Sequence, residues 1–104
     1  MATATKVLAR AAAGTSSATL YTVPSATTTV VTNIAVTNTA GSAGTFTLAM
    51  GPSGSAVALH TATAIAANST VYIDLKQVLA ATNIITGLAS ATTINFHISG
   101  IEVS

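Results

Sequence analysis

The sequence is short of most of the side chains that chemistry and charge recognition require. It has no cysteine or tryptophan, two prolines, two tyrosines, two phenylalanines, and charged side chains at only 5% of its 104 positions. An ordinary soluble domain carries charge on about a quarter of its residues. Without thiols there is no disulfide framework and no thiolate metal site, which suits folding and assembly in a reducing cytosol. Three cations and four aromatics cannot line a groove for phosphates and stacked bases, so nucleic acid is excluded as a partner. A membrane helix needs roughly 20 mostly apolar residues, and Thr, Ser, Asn or Gly breaks every run well before that, so no membrane partner is expected. Residues 6–13 resemble an export signal faintly, but the apolar stretch is short and Arg10 interrupts it.

What is present is small and β-prone. Ala, Thr and Ser number 22, 20 and 10, and 26 residues are Val, Ile, Leu or Phe. Those 26 exclude a disordered polar chain and are enough for one thin core. Hydroxyls rather than charges must keep the surface wet.

Period-two alternation recurs along the chain and helical spacing hardly occurs, which predicts an all-β domain. Residues 19–23 read as a short strand stopped by Pro24, and residues 25–28 as a turn. In the run 29–39, alternation puts Val30, Ile34 and Val36 on one face and Val31, Asn33, Ala35 and Thr37 on the other. Phe46, Leu48 and Met50 alternate with Thr45, Thr47 and Ala49, between glycine-rich turns at 40–44 and 51–54. The next strand ends near Ile65 and turns His60 outward, on the face opposite Val57 and Leu59. Over 70–75, Val71, Ile73 and Leu75 face in, while Tyr72, Asp74 and Lys76 face out. Residues 77–83 read as a corner anchored by buried Val78 and Leu79, and 84–89 as a strand containing Gly87. Ile94, Phe96 and Ile98 face in, opposite Asn95, His97 and Ser99, and Gly100 can break the register as a bulge would. The expected fold is an antiparallel β-sandwich, jelly-roll-like, of seven to eight strands at residues 18–104, with an extended N-terminal arm at 1–17.

The arm holds Lys6 and Arg10, two of the three cations, which would suit an acidic neighbour. With Val7 and Leu8 between them they are the candidate partner-binding residues; a frayed terminus or an ordinary first strand is the open alternative. Outer faces of Thr, Ala and Asn with little Lys or Glu at the strand edges favour association with neighbours.

Catalytic patterns fail one by one. A Ser/His/Asp site needs three converging side chains, and nothing in the spacing of His60, Asp74 and His97 favours convergence. The same three could ligate a metal on adjacent strands, but surface histidines are the simpler reading, so no metal and no cofactor are assigned. Gly51-Pro52-Ser53-Gly54 lacks the lysine and the following helix of a phosphate loop. Asn68-Ser69-Thr70 is a glycosylation sequon in pattern alone. The Thr-x-Thr pairs have no fixed period, which excludes a solenoid.

Several segments together carry a resemblance: Leu20-Tyr21-Thr22-Val23-Pro24-Ser25, Asn38-Thr39, Ile65-Ala66-Ala67-Asn68-Ser69-Thr70, Leu79-Ala80-Ala81-Thr82-Asn83 and Ile98-Ser99-Gly100-Ile101-Glu102-Val103. In this order, over nearly all of the chain after residue 18, the sequence resembles small all-β virion proteins of tailed bacteriophages. The resemblance implies a non-enzymatic structural protein in many copies per particle, made in the host cytoplasm and resident in the virion. It brings no catalytic residues. The expected role is capsid decoration, or cement, at local symmetry axes. The expected partners are the major capsid protein or other virion proteins, and further copies of the chain as a homo-oligomer, a trimer by preference. A tail or baseplate component is the alternative, and so is a host-glycan-binding module, for which Tyr21 and Tyr72 are the only tyrosines to stack on a sugar.

Overall fold

The computed structural model describes residues 3–104 of the chain, and every structural statement below concerns those residues. Eight strands make up two four-stranded antiparallel sheets: β1 (Thr3–Ala12), β2 (Ala18–Thr22), β3 (Thr28–Asn38), β4 (Gly44–Gly51), β5 (Val57–Ile65), β6 (Ser69–Leu79), β7 (Ile84–Ala89) and β8 (Ile94–Val103). One sheet has the order β1-β8-β3-β6 and the other β2-β7-β4-β5. First pairs with eighth, second with seventh, third with sixth and fourth with fifth, as in a long hairpin rolled up on itself. This is the jelly-roll arrangement, in which two Greek keys share one core.

Alternation drives the packing. Val31, Ile34 and Val36 from β3, Phe46 and Leu48 from β4, Ile85 from β7 and Ile94, Phe96 and Ile98 from β8 are buried between the sheets. The rings of Phe46 and Phe96, one from each sheet, meet edge to face with centroids 6.3 Å apart, a geometry aromatic pairs prefer. Two glycines admit close approaches there. A Cβ on Gly87 would lie 2.8 Å from Leu20 Cδ1 and 3.0 Å from Phe96 Cε2. One on Gly100 would collide with the Val30 carbonyl oxygen.

Five expectations change. Val31, not Val30, is buried with Ile34, because the register of β3 shifts between Val31 and Asn33 and inverts the alternation. The irregularity expected at Gly100 falls on the strands flanking β8, at Leu8 of β1 and Thr32 of β3, while β8 itself alternates regularly. Strand β6 continues to Leu79, which is buried, and its alternation leaves Val78 68% exposed on the outer face. His60 is half-buried with its ring centroid 5.7 Å from that of Phe46, because β5 slips register twice against β4. The N-terminal segment, from Thr3 to Ala12, pairs along β8 as an edge strand, so it does not project as an arm; Met1 and Ala2 lie outside the described residues.

Candidate functional site: the outer face and edges of the β1-β8-β3-β6 sheet

The jelly roll has two ends. The loops after β1, β3, β5 and β7 lie at one, and those after β2, β4 and β6 at the other, beside Thr3 and Val103. Each end is closed by a polar group that sequence reasoning did not single out.

At the first end Asn38, fully buried, closes β3. Its Nδ2 donates to Ser42 O at 2.9 Å and to Ala66 O at 3.4 Å, and its Oδ1 accepts from Ala40 N at 3.0 Å and Thr93 Oγ1 at 3.5 Å. One amide thus satisfies main chain or hydroxyls in three loops, as a buried polar group must.

At the second end Glu102 of β8 lies beside Lys6 of β1, Nζ to Oε1 3.2 Å, the one ion pair among the described residues. The Tyr21 hydroxyl, from β2 in the other sheet, donates to Glu102 Oε2 and lies 2.9 Å from Thr29 Oγ1 of β3. Four strands of two sheets meet in this clasp. The hydrogen bond from Tyr21, reinforced by Lys6, holds the Glu102 carboxyl below the usual carboxylate range. Burial, and next the bond to Glu102, push the Tyr21 phenol above its usual value. With its hydroxyl committed internally, Tyr21 is not a free platform for a sugar ring.

The outer face of the β1-β8-β3-β6 sheet carries the exposed features. Cross-strand register sets out its rows: Thr5, Ile101, Val30 and Val78; then Val7, Ser99, Asn33 and Asp74; then Arg10, His97, Ala35 and Tyr72; then Ala12, Asn95, Thr37 and Thr70. Tyr72 is 70% exposed, and Thr37 and Thr70 share a hydroxyl hydrogen bond at 3.0 Å. Two shallow depressions flank Thr32, one of about 460 Å³ beside Asp74, Leu75 and Lys76, the other of about 450 Å³ lined by Thr5, Lys6, Val7 and Ile101 among others.

The four candidate partner-binding residues separate on this strand. Val7 and Arg10 are exposed on the outer face, Lys6 belongs to the Glu102 clasp, and Leu8 is buried in the core. His97 and Asp74 share the outer face, two strands apart, whereas His60 belongs to the other sheet. Among the described residues no group of three His, Cys, Asp or Glu is arranged to hold a metal ion, and no helix is long and apolar enough to cross a membrane.

No protein-family model matches the sequence, and no curated protein is significantly similar to it. The fold is similar to that of several solved structures at low identity. A chain from the structure of infectious bursal disease virus, Gx strain, superposes over 97% of this chain at a TM-score of 0.56 and 16% identity. A chain of the T13 particle of the same virus does so at 0.59 and 11%, again over 97%. This chain spans 30% of the length of either viral chain. A chain from the disulfide-linked pili that form Bacillus endospore appendages aligns with 99% of this chain and over 87% of its own length, at a TM-score of 0.60 and 14% identity. The shared property is the jelly-roll fold.

Proposed function

We propose that this chain is a non-enzymatic structural protein of a bacteriophage virion, a capsid decoration (cement) protein that binds the outer capsid lattice and stabilises it. The observation that carries the reading is the complete eight-stranded jelly roll, a recurrent architecture of viral capsid domains, similar over 97% of the chain to parts of an icosahedral virus particle. The order of phage-like segments along the sequence points the same way. Apart from Arg10, Asp74 and Lys76 on its edge strands, the outer face is built mainly of Thr, Ala, Val, Ile, Asn and Ser with His97 and one exposed Tyr, which suits close packing because little charge has to be desolvated on contact. Its partners are the major capsid protein and further copies of itself, a trimer being the simplest cluster at a local symmetry axis. Edge strand β1, with Val7 and Arg10, is the part of the first seventeen residues that reaches the shell or a neighbouring copy.

The test is to add the purified chain to phage shells assembled without it. Saturable co-sedimentation and a raised disruption temperature of the shell are expected. Shells that neither bind the chain nor gain stability sink the decoration role.

One observation favours a second reading as a fibre component, such as part of a tail. The likeness to the pilus chain covers 87% of that protein rather than a fraction of a larger one. Antibody-labelled particles viewed by electron microscopy separate the two by where the label falls.

A further inference from the structure

The chain has five charged side chains, and two of them, Lys6 and Glu102, neutralise each other. The other three stand at exposed positions on opposite edges of one sheet: Arg10 on β1, Asp74 and Lys76 on β6. The two sheets treat their edges differently. In the β2-β7-β4-β5 sheet, β2 has five residues and a register shift, and β5 has two shifts and a left-handed residue, Ala62, at φ 43°. Short or kinked edges of that kind resist pairing with another chain. Strands β1 and β6 run for 10 and 11 residues with a single shift each against their neighbours, and β1 is exposed along most of its length.

We propose that a second copy of this chain adds its β6 to β1, so that the β1-β8-β3-β6 sheet continues head to tail from one copy to the next. The strand directions allow it. Every neighbouring pair in the sheet is antiparallel, so β6 runs opposite to β1 and a translated copy presents an antiparallel partner. The side chains match as well. Arg10 is level with Tyr72 across the sheet, and Val7 is level with Asp74. Continued without stagger, Arg10 faces the partner's Tyr72, an exposed ring on which a guanidinium can stack. The partner's Asp74 then lies opposite Val7 and diagonal to Arg10, roughly 7–8 Å away between Cα atoms and within reach of a long side chain. The row of Ala12 meets the partner's Thr70, both small enough for the main chains to close. Such a contact uses two different surfaces of each copy, so it closes into a ring or runs on as a fibre. The inference goes beyond the virion reading, since it requires no particle, and it is tested on the purified chain alone.

Sedimentation velocity over a concentration series is expected to show reversible growth beyond the monomer. Arg10→Glu and Asp74→Arg, each placing like charges at the seam, are expected to weaken association at least about tenfold. The double variant, with the pair reversed, is expected to recover most of the loss. Because the chain has no cysteine, the pair Ala12→Cys and Thr70→Cys reports the register directly. Within one copy these positions are three strand spacings apart, about 14 Å, so oxidation links only different copies, as a ladder of covalent oligomers. A wild-type chain that stays monomeric at its highest soluble concentration overturns the proposal. So does association insensitive to both charge reversals, or cross-linking by each single-cysteine variant as well as by the pair, which would mean like edges meeting. Circular dichroism of each variant confirms that a lost oligomer is not a lost fold. Failure here with intact shell binding removes only the self-pairing; intact self-pairing without shell binding removes only the decoration role.

Discussion

At one end of the sandwich Asn38, neutral and buried, gathers three loops; at the other Glu102, charged and partly exposed, gathers side chains from β1, β2 and β3. Both satisfy polar groups where strands stop, but only the second can change its charge. The neutral hub is indifferent to pH, and its cost on removal comes from loop main chain left unpaired in a dry site. The clasp is wetter, with side-chain exposures of 50% for Lys6 and 15% for Glu102, so solvent screens it and each link is worth less. The difference teaches that the two groups displaced from their ordinary values, Glu102 and Tyr21, sit together at one end.

The largest expected effect tests the neutral hub. Asn38→Ala removes both donor and acceptor and is expected to destabilise the fold by about 2–3 kcal/mol, equally at pH 5 and pH 8, by urea unfolding. Equal loss at both values keeps the contrast; a loss that varies with pH breaks it. Tyr21→Phe is next, at about 1–2 kcal/mol, because it takes the between-sheet donor from Glu102 and the partner from buried Thr29.

The third prediction concerns pH itself. The folded Glu102 carboxyl is held below its ordinary value, so its contribution is complete above the unfolded value of about 4.3 and lost as pH falls through the folded one. Tyr21 is shifted upward, so its contribution is complete below about pH 10 and lost as pH rises through the raised value. The clasp's contribution is therefore expected to be constant near neutrality and to fall on both sides, with Glu102→Gln flattening the acid limb; an unchanged acid limb in that variant excludes the clasp as its source. The smallest effect lies in the turn after β6, at the same end, where β-branched Thr82 sits at φ 67°. Thr82→Gly is expected to relieve that strain and raise stability by about 0.5–1 kcal/mol at every pH, seen as a higher Tm.

Much of the fold was legible because the pleat is simple where strands are regular. Phe46, Leu48 and Met50, and Ile94, Phe96 and Ile98, alternate without interruption as read; the second set is buried as expected, and the first proves to be buried too. The reading failed where one extra residue enters a strand. The shift at Thr32 exchanged Val30 for Val31, and the two shifts of β5 turned His60 toward Phe46. Neither has a marker such as glycine at the bulge itself. Of the four residues expected to meet a partner, Val7 and Arg10 lie on an exposed face, whereas Leu8 and Lys6 are taken by the core and the clasp. The clasp joins Tyr21 to Glu102 across 81 positions of sequence, a separation no local pattern reports.

By itself the sequence determined an all-β chain with a thin aliphatic core, faces of threonine and alanine, and few charged side chains, since these follow from composition and a period of two. Only the tertiary structure decided which strands are edges, because pairing order is a property of the rolled chain and not of any segment. It made the expected arm an edge strand, set Lys6 against Glu102, and left Arg10 and Asp74 on opposite borders of one sheet, where a second copy can bring them together.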